Sequence, residues 1–272
     1  MREQAIVLRT PEPRTRESLA ADLRAVGVQV GMTLLVHSSL SSIGWVCGGP
    51  VAVVQALFDA LGPAGTLVMP THTSANSEPS HWQNPPVPES WWETLRRTMP
   101  AFDPLVTPTT GMGCIVEVFR TWPGTLRSGH PQVSFAACGP NSGFITSDHS
   151  LADGLGDGSP LARVYDLDGH VLLLGVGYER NTSFHLAEYR TAGTEHLIEG
   201  ASMLKDGQPC WKTFSDLDWN ADPFAEIGAA FETASPVNVG LVGSATSRLF
   251  RQRAAVEFSG DWLSRSRSTE RA

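Results

Sequence analysis

No run of apolar residues in this chain is long enough to span a bilayer, and Met1-Arg-Glu-Gln begins without the apolar core of a signal region. Both absences argue against membrane insertion and secretion, so the expected location is the cytoplasm. Cysteine is scarce: Cys47, Cys114, Cys138 and Cys210 are scattered, and C-x-x-C is missing. A chain of 272 residues can bury a core without staples, so reduced thiols are expected. Basic residues are outnumbered, 20 Lys+Arg against 28 Asp+Glu, for a net charge of -8. That argues against a nucleic-acid partner, because phosphate neutralisation needs a basic surface, and it suits a cationic ligand. Also missing are the phosphate-loop motif G-x-x-x-x-G-K-[ST], the zinc motif H-E-x-x-H and the nucleophile elbow G-x-S-x-G. There is no internal repeat.

What is present reads as α/β. Thr15 can cap a helix whose stripe is Leu19, Leu23 and Val26 and which Gly27 stops. Thr33 to Val36 is a short buried strand. A second helix follows, with Pro50 in its first turn, an apolar face of Val51, Val54, Leu57, Phe58 and Leu61, and Gly62 after it. Thr66 to Met69 is the next strand, so strand, helix and strand form a βαβ unit with parallel strands. From Ser74 to Pro108 the chain is rich in Pro and Trp, which breaks up a sheet; this is expected to be a packed lobe with a short helix near Trp91 to Thr98. Gly111 to Phe119 and Val133 to Ala137 are expected to return to the core. A hairpin is expected over about 200–215, turning at Asp206-Gly207. Arg253 to Phe258 reads as a late strand, and the last ten residues as a polar frayed end. The whole, 1–272, is taken as one domain.

Three strand ends carry unusual polar stretches: His37-Ser-Ser-Leu-Ser-Ser-Ile-Gly44, Pro70-Thr-His-Thr73, and Gly175-Val-Gly177 running on to His185. Open α/β sheets bind ligands beyond the carboxyl ends of their strands. The serine loop leads to a helix start at Pro50, where backbone N–H groups favour phosphate; it also reads as a plain connecting loop. In Asn181-Thr-Ser-Phe-His185-Leu-Ala-Glu188, His185 and Glu188 stand three apart at a helix start and share a face. An imidazole beside a carboxylate is a general base with its orienting partner. The same spacing supplies two metal ligands, with His37 or His72 as a third, so a metal-dependent hydrolase stays open.

Several stretches together resemble the aminoglycoside 3-N-acetyltransferases, the antibiotic N-acetyltransferase family that is distinct from the GNAT enzymes. They are His37 to Gly44 with Gly48-Gly-Pro50, Gly65 to Thr71, Phe102-Asp-Pro104 with Thr107-Pro-Thr109, Glu117-Val-Phe-Arg120, Arg127 to Pro131 with Ser134-Phe-Ala136, Gly158-Ser-Pro160, Leu172 through Glu188, and Arg248 to Trp262. The resemblance covers nearly the whole chain. It implies a layered α/β sandwich around a largely parallel or mixed sheet, with a smaller substrate-binding lobe. It implies acetyl transfer from acetyl-CoA to the 3-amino group of a 2-deoxystreptamine aminoglycoside, without metal and with antibiotic resistance as the outcome. His185 matches the family's base and Glu188 its acid. His37, Ser38, Ser39, Leu40, Ser41, Ser42 and Ile43 match the loop against CoA, and Thr71 and Thr109 are further carry-overs. Glu78, Asp103, Asp148 and Asp153 are loop candidates for holding the polycation. A monomer or homodimer is expected. Another natural amine as acceptor, or a non-catalytic binding module, remains an alternative.

Overall fold

The computed structural model describes residues 2–270. The chain opens with α1 (Arg2–Arg9) and α2 (Arg16–Val26). Thr15 holds the start of α2: its hydroxyl accepts from Ser18 N at 3.2 Å, while Ser18 Oγ accepts from Thr15 N at 3.0 Å. This capping box satisfies two donors that a helix start otherwise leaves without partners. Gly27, at φ 115°, ends the helix in the left-handed region. Next come β1 (Thr33–Ser38), the single turn α3 (Leu40–Ile43), α4 (Gly49–Leu61) and β2 (Thr66–Pro70). These are the expected βαβ unit, with β1 and β2 parallel.

The middle of the chain holds α5 (Glu89–Thr98), α6 (Cys114–Arg120), the two-residue β3 (Leu126–Arg127), β4 (Phe135–Cys138), α7 (Ser142–Thr146) and α8 (Pro160–Asp166). Then follow β5 (His170–Leu174), α9 (Ser183–Arg190), the hairpin of β6 (His196–Lys205) and β7 (Gln208–Leu217), and α10 (Phe224–Ala234). β8 (Asn238–Val242), β9 (Ala245–Arg251) and α11 (Gln252–Glu270) complete it.

Seven strands form one mixed sheet in the order β3-β4-β2-β1-β5-β9-β8. Its centre, β2-β1-β5, is parallel, and the flanking pairings are antiparallel. Alternate residues of β1 serve opposite faces, as the pleat requires. Leu34 and Val36 pack with Leu23, Leu57 and Phe119, whereas Leu35 packs with Phe184, Phe231 and Leu263. Both faces are thus covered by helices, which is why the central strands are continuously apolar. The result is a three-layer α/β/α sandwich.

The hairpin stands apart as a two-stranded sheet. The Pro/Trp-rich segment packs on it: Asn76 exchanges two 2.9 Å hydrogen bonds with the Ser202 backbone, and Phe102 N donates to Ser202 O at 2.9 Å. Hairpin and segment therefore form one side unit beside the main sheet.

Four expectations need correction. Residues 253–258 are helical rather than a strand; they open α11, and the last strand is β9, immediately before. Gln252, Ala255, Val256, Ser259 and Leu263 are buried at helical spacing, so a short apolar run that suits either element is settled by the face it presents. The polar end does not fray within the described residues, since α11 continues to Glu270; Arg271 and Ala272 lie outside them. Val51 is 42% exposed, because the buried face of α4 is carried by Ala52, Val53, Ala56 and Ala60 along with Val54 and Leu57. Trp91 is 57% exposed on α5, so not every aromatic of the side unit is packed.

Candidate active site

The carboxyl ends of β2, β1 and β5 are neighbours in the sheet, which brings the three polar stretches together. β5 turns sharply at Gly175, whose φ is +69°; a Cβ there would lie 2.6 Å from Ser42 Cβ and 2.9 Å from Ala245 Cβ. Only glycine permits this close approach. Ser39 N donates to Leu174 O at 3.0 Å and ties the serine turn to the same strand end.

From that turn the chain enters α9, where His185 and Glu188 meet. His185 Nδ1 lies 2.6 Å from Glu188 Oε2, and both residues are buried. The second carboxylate oxygen accepts from Asn220 N at 3.0 Å, so Glu188 is held from two directions. With Nδ1 engaged, Nε2 is the imidazole nitrogen left for the cavity that His185 lines. Trp219 and Phe224 wall the ring, with centroids 4.8 and 4.6 Å away.

Two more histidines line this central cavity. His37, at the end of β1, sits with Nε2 3.4 Å from Thr182 Oγ1. His72 follows β2 and lies edge-on to Phe135 at 5.4 Å. Burial, and then the neighbouring charge of His185, push the pKa of each down to about 3. Both rings are therefore neutral near pH 7. Of the three histidines, His185 alone has a carboxylate against its ring among the described hydrogen bonds.

The central cavity, about 290 Å³, opens on two sides. Across Ser38, Gly111 and Met112 it borders a cavity of about 560 Å³ lined by Ser39, Leu40, Ser41 and Trp45. Across His72 and Trp219 it borders a third cavity of about 650 Å³, whose carboxylates are Glu199, Asp216 and Asp218. Cavities of this size hold ordinary small-molecule ligands. The serine-lined one joins small hydroxyls to a half-buried leucine and an exposed tryptophan.

The residues singled out from the sequence distribute unevenly over this geometry. Ser38, Ser39, Leu40 and Ser41 line the second cavity, and His37 lines the central one. Ser42 donates to Ser39 Oγ at 2.9 Å, and Ile43 is buried in the core, so both support the loop from behind. Thr71 Oγ1 is shared with Ser134 Oγ at 3.0 Å and Arg127 Nε at 3.1 Å, and Thr109 N donates to Glu117 at 2.7 Å; neither threonine lines the three cavities. Nor do the four acidic candidates. Glu78 pairs with Arg96, Asp103 accepts from Leu105 N at 2.8 Å, Asp148 turns the chain at φ 44°, and Asp153 accepts from Gly158 N. Glu3 lines the second cavity and Glu179 the central one, while the acids of the third, Glu199, Asp216 and Asp218, are on or beside the hairpin. Alternation was the available signal: on β6, Leu197 and Glu199 turn inward while His196 and Ile198 are exposed. Among the described residues no group of three His, Cys, Asp or Glu converges as a metal site, so His37, His185 and Glu188 do not form a ligand set.

A central cavity that holds one imidazole and opens onto a larger cavity on each side suits a group-transfer enzyme, with a ligand on each side of the reacting centre. Comparison with known proteins narrows that class to one family: the chain belongs to the aminoglycoside 3-N-acetyltransferases, whose profile matches residues 35–264. It is 48% identical over 259 residues to the SPbeta prophage-derived aminoglycoside N(3')-acetyltransferase-like protein YokD of Bacillus subtilis, covering 95% of each chain. The crystal structure of YokD superposes with a TM-score of 0.96 at 47% identity, over 97% of this chain and 98% of that one. A CoASH binary complex of AAC-IIIb matches with a TM-score of 0.85 at 33% identity, over 94% and 98% of the two chains. Sisomicin-bound AAC-VIa matches with a TM-score of 0.84 at 31% identity, over 93% and 98%.

Proposed function

We propose that this protein transfers an acetyl group from acetyl-CoA to the 3-amino group of 2-deoxystreptamine aminoglycosides, in the cytoplasm, and thereby protects its host from them. One observation carries the reading: His185, held by the buried Glu188, lines a central cavity that borders a serine-lined cavity on one side and an acid-lined cavity on the other. A relative with CoASH bound and another with sisomicin bound support a ligand on each side. The acyl donor belongs in the cavity of Ser38, Ser39, Leu40 and Ser41, and the cationic sugar beside Glu199, Asp216 and Asp218.

Chemistry follows from the geometry. An aminoglycoside amine is largely protonated near pH 7 and has to lose a proton before its lone pair can attack. His185 Nε2 takes a proton from that nitrogen, while Glu188, at 2.6 Å from Nδ1, fixes the tautomer and stabilises the imidazolium. Neutral His37 and His72 add no second positive charge to the cavity as this happens. The thioester supplies an activated acetyl group, which passes to the amine nitrogen as its carbon–sulfur bond breaks; the proton taken up by His185 is then passed to the sulfur, which leaves as the thiol. Transfer is direct, with no acyl-enzyme.

Purified protein incubated with acetyl-CoA and a panel of aminoglycosides and other natural amines tests this. The expected result is thiol release with the deoxystreptamine drugs and a product acetylated at N3 by NMR. Turnover confined to unrelated amines would move the acceptor assignment, and absence of any turnover would remove the enzyme reading.

A further inference from the structure

The acidic cavity holds aromatic rings as well as charge. Trp82 and Trp219 stand in its lining beside Glu199 and Asp218. Of the described Phe, Tyr and Trp residues, Trp219 alone lines both that cavity and the central one. It is 42% exposed, so a ligand can reach it, whereas Phe224, its companion against the His185 ring, is 1% exposed.

Backbone contacts hold Trp219 in place. It belongs to the short segment between β7 and α10. Asp218 N donates to Glu195 O at 2.9 Å, and Asn220 N donates to Glu188 Oε1 at 3.0 Å. Trp219 is thus fixed on both sides, and one of those bonds runs to the carboxylate that holds His185. Its ring centroid is 4.8 Å from that of His185, with the two planes at 64°. A ligand resting on the indole therefore borders the cavity of the base.

A flat aromatic surface suits one part of the acceptor. In 2-deoxystreptamine the amino and hydroxyl groups project from the rim of the ring, which leaves C–H bonds on both faces. An indole face receives such C–H bonds, and its quadrupole attracts nearby ammonium groups more strongly than any other aromatic side chain does. Carboxylates alone would hold the charges without fixing the plane of the ring.

We propose that Trp219 is the platform for the acceptor: the aminocyclitol lies against the indole, with rim ammonium groups toward Glu199 and Asp218 and the reacting amine toward His185. The inference rests on the functional reading above and names the residue that sets the plane of the acceptor within it. Trp219 exchanges no proton with the substrate.

The test compares Trp219→Ala, which removes the ring, with Trp219→Phe, which keeps a smaller one. Sisomicin is the probe, with binding measured by calorimetry, turnover by steady-state kinetics and folding by thermal melts. For Trp219→Ala, the sisomicin Kd and KM rise about 10- to 100-fold, the loss that follows truncation of an aromatic anchor in a ligand contact. The acetyl-CoA KM stays unchanged, kcat at saturating sisomicin stays within about threefold, and Trp219→Phe recovers most of the affinity. Should the alanine protein not fold, Trp219→Leu, which keeps apolar bulk without an aromatic face, makes the same comparison. A sisomicin Kd within about threefold of wild type overturns the inference. So does a loss confined to kcat, which marks a ring that only shields His185 from water, an equal rise in the acetyl-CoA KM, or no recovery by phenylalanine. Wild-type protein that neither binds nor acetylates any aminoglycoside instead overturns the functional reading itself.

Discussion

Replacing Glu188 by glutamine isolates the charge of the carboxylate while leaving its shape. In the native site one oxygen is 2.6 Å from His185 Nδ1 and the other accepts from Asn220 N at 3.0 Å. Glutamine can keep the Asn220 bond through its carbonyl, so the fold should survive, with Tm within a few degrees. What disappears is the interaction of a carboxylate with the imidazolium that forms during transfer. At an effective dielectric near 20 and a charge separation of about 4 Å, that interaction is worth about 4 kcal/mol. The lower bound comes from exchanging a charge-assisted hydrogen bond for a neutral one, about 1–2 kcal/mol. At about 1.4 kcal/mol per tenfold, kcat should fall about 100- to 1000-fold and at the least about tenfold. Loss of the thioester absorbance is the suitable assay, because the exposed thiols of Cys47 and Cys114 would react with a thiol reagent. A Glu188→Gln protein that folds and turns over within threefold of wild type would falsify the assignment of Glu188 as the partner of a working base.

Other perturbations reach different parts of the structure. His185→Ala should fold normally and lose about 100- to 10,000-fold in kcat, the range for a positioned general base, in the same assay. Glu199→Gln and Asp216→Asn should each raise the aminoglycoside KM and leave the acetyl-CoA KM alone, provided the third cavity holds the sugar; equal effects on both constants would argue against it. Gly175→Ala should destabilise the fold by about 1–3 kcal/mol and raise the acetyl-CoA KM, since alanine meets both a positive φ and the Ser42 side chain; a melt with unchanged Tm would refute the close-packing claim. Acid should destabilise the protein early. His37 and His72 are pushed to about 3, His149 to about 4 and His130 well below 6.5, all by burial first. Below about pH 6.5 the unfolded chain takes up protons that the native chain refuses, so stability falls as pH falls, by about 1.4 kcal/mol per pH unit for each such histidine. Asp153 and Asp216, raised by burial, act with the opposite sign, but four histidines outnumber them. Urea midpoints at pH 7.5 and 5.5 should therefore differ clearly, and equal midpoints would contradict the buried neutral rings.

Much of this architecture could be read from local chemistry. The capped helix after Thr15, the βαβ unit and the Asp206-Gly207 hairpin each carry their own punctuation, and each formed where it was expected. The same locality explains the failure at Arg253 to Phe258. Four apolar or small residues in six suit a strand or a helix, and only packing of Ala255, Val256 and Leu263 against the sheet decides. In the site, the His185–Glu188 contact was legible because both groups sit on one helix at a spacing that fixes their distance. The acidic cavity was not. Glu199 and Asp216 are distant in sequence and come together only because Glu199 pairs with Phe214 across the hairpin and the side unit folds over them. Loop acids such as Asp103 and Asp153 looked available, but turns and backbone amides had already claimed them.

The two large cavities flank the His185 cavity on different sides, one reached past Ser38 and the other past His72 and Trp219. With the acyl donor and the acceptor placed as proposed, neither ligand stands in the other's way. Acyl donor and acceptor can therefore arrive in either sequence, and initial-rate patterns should show intersecting lines without a compulsory first substrate. With the ligands placed as proposed, the same separation would let the hairpin and its attached segment drift over evolutionary time, changing which amines are accepted, without disturbing the serine turn on the sheet.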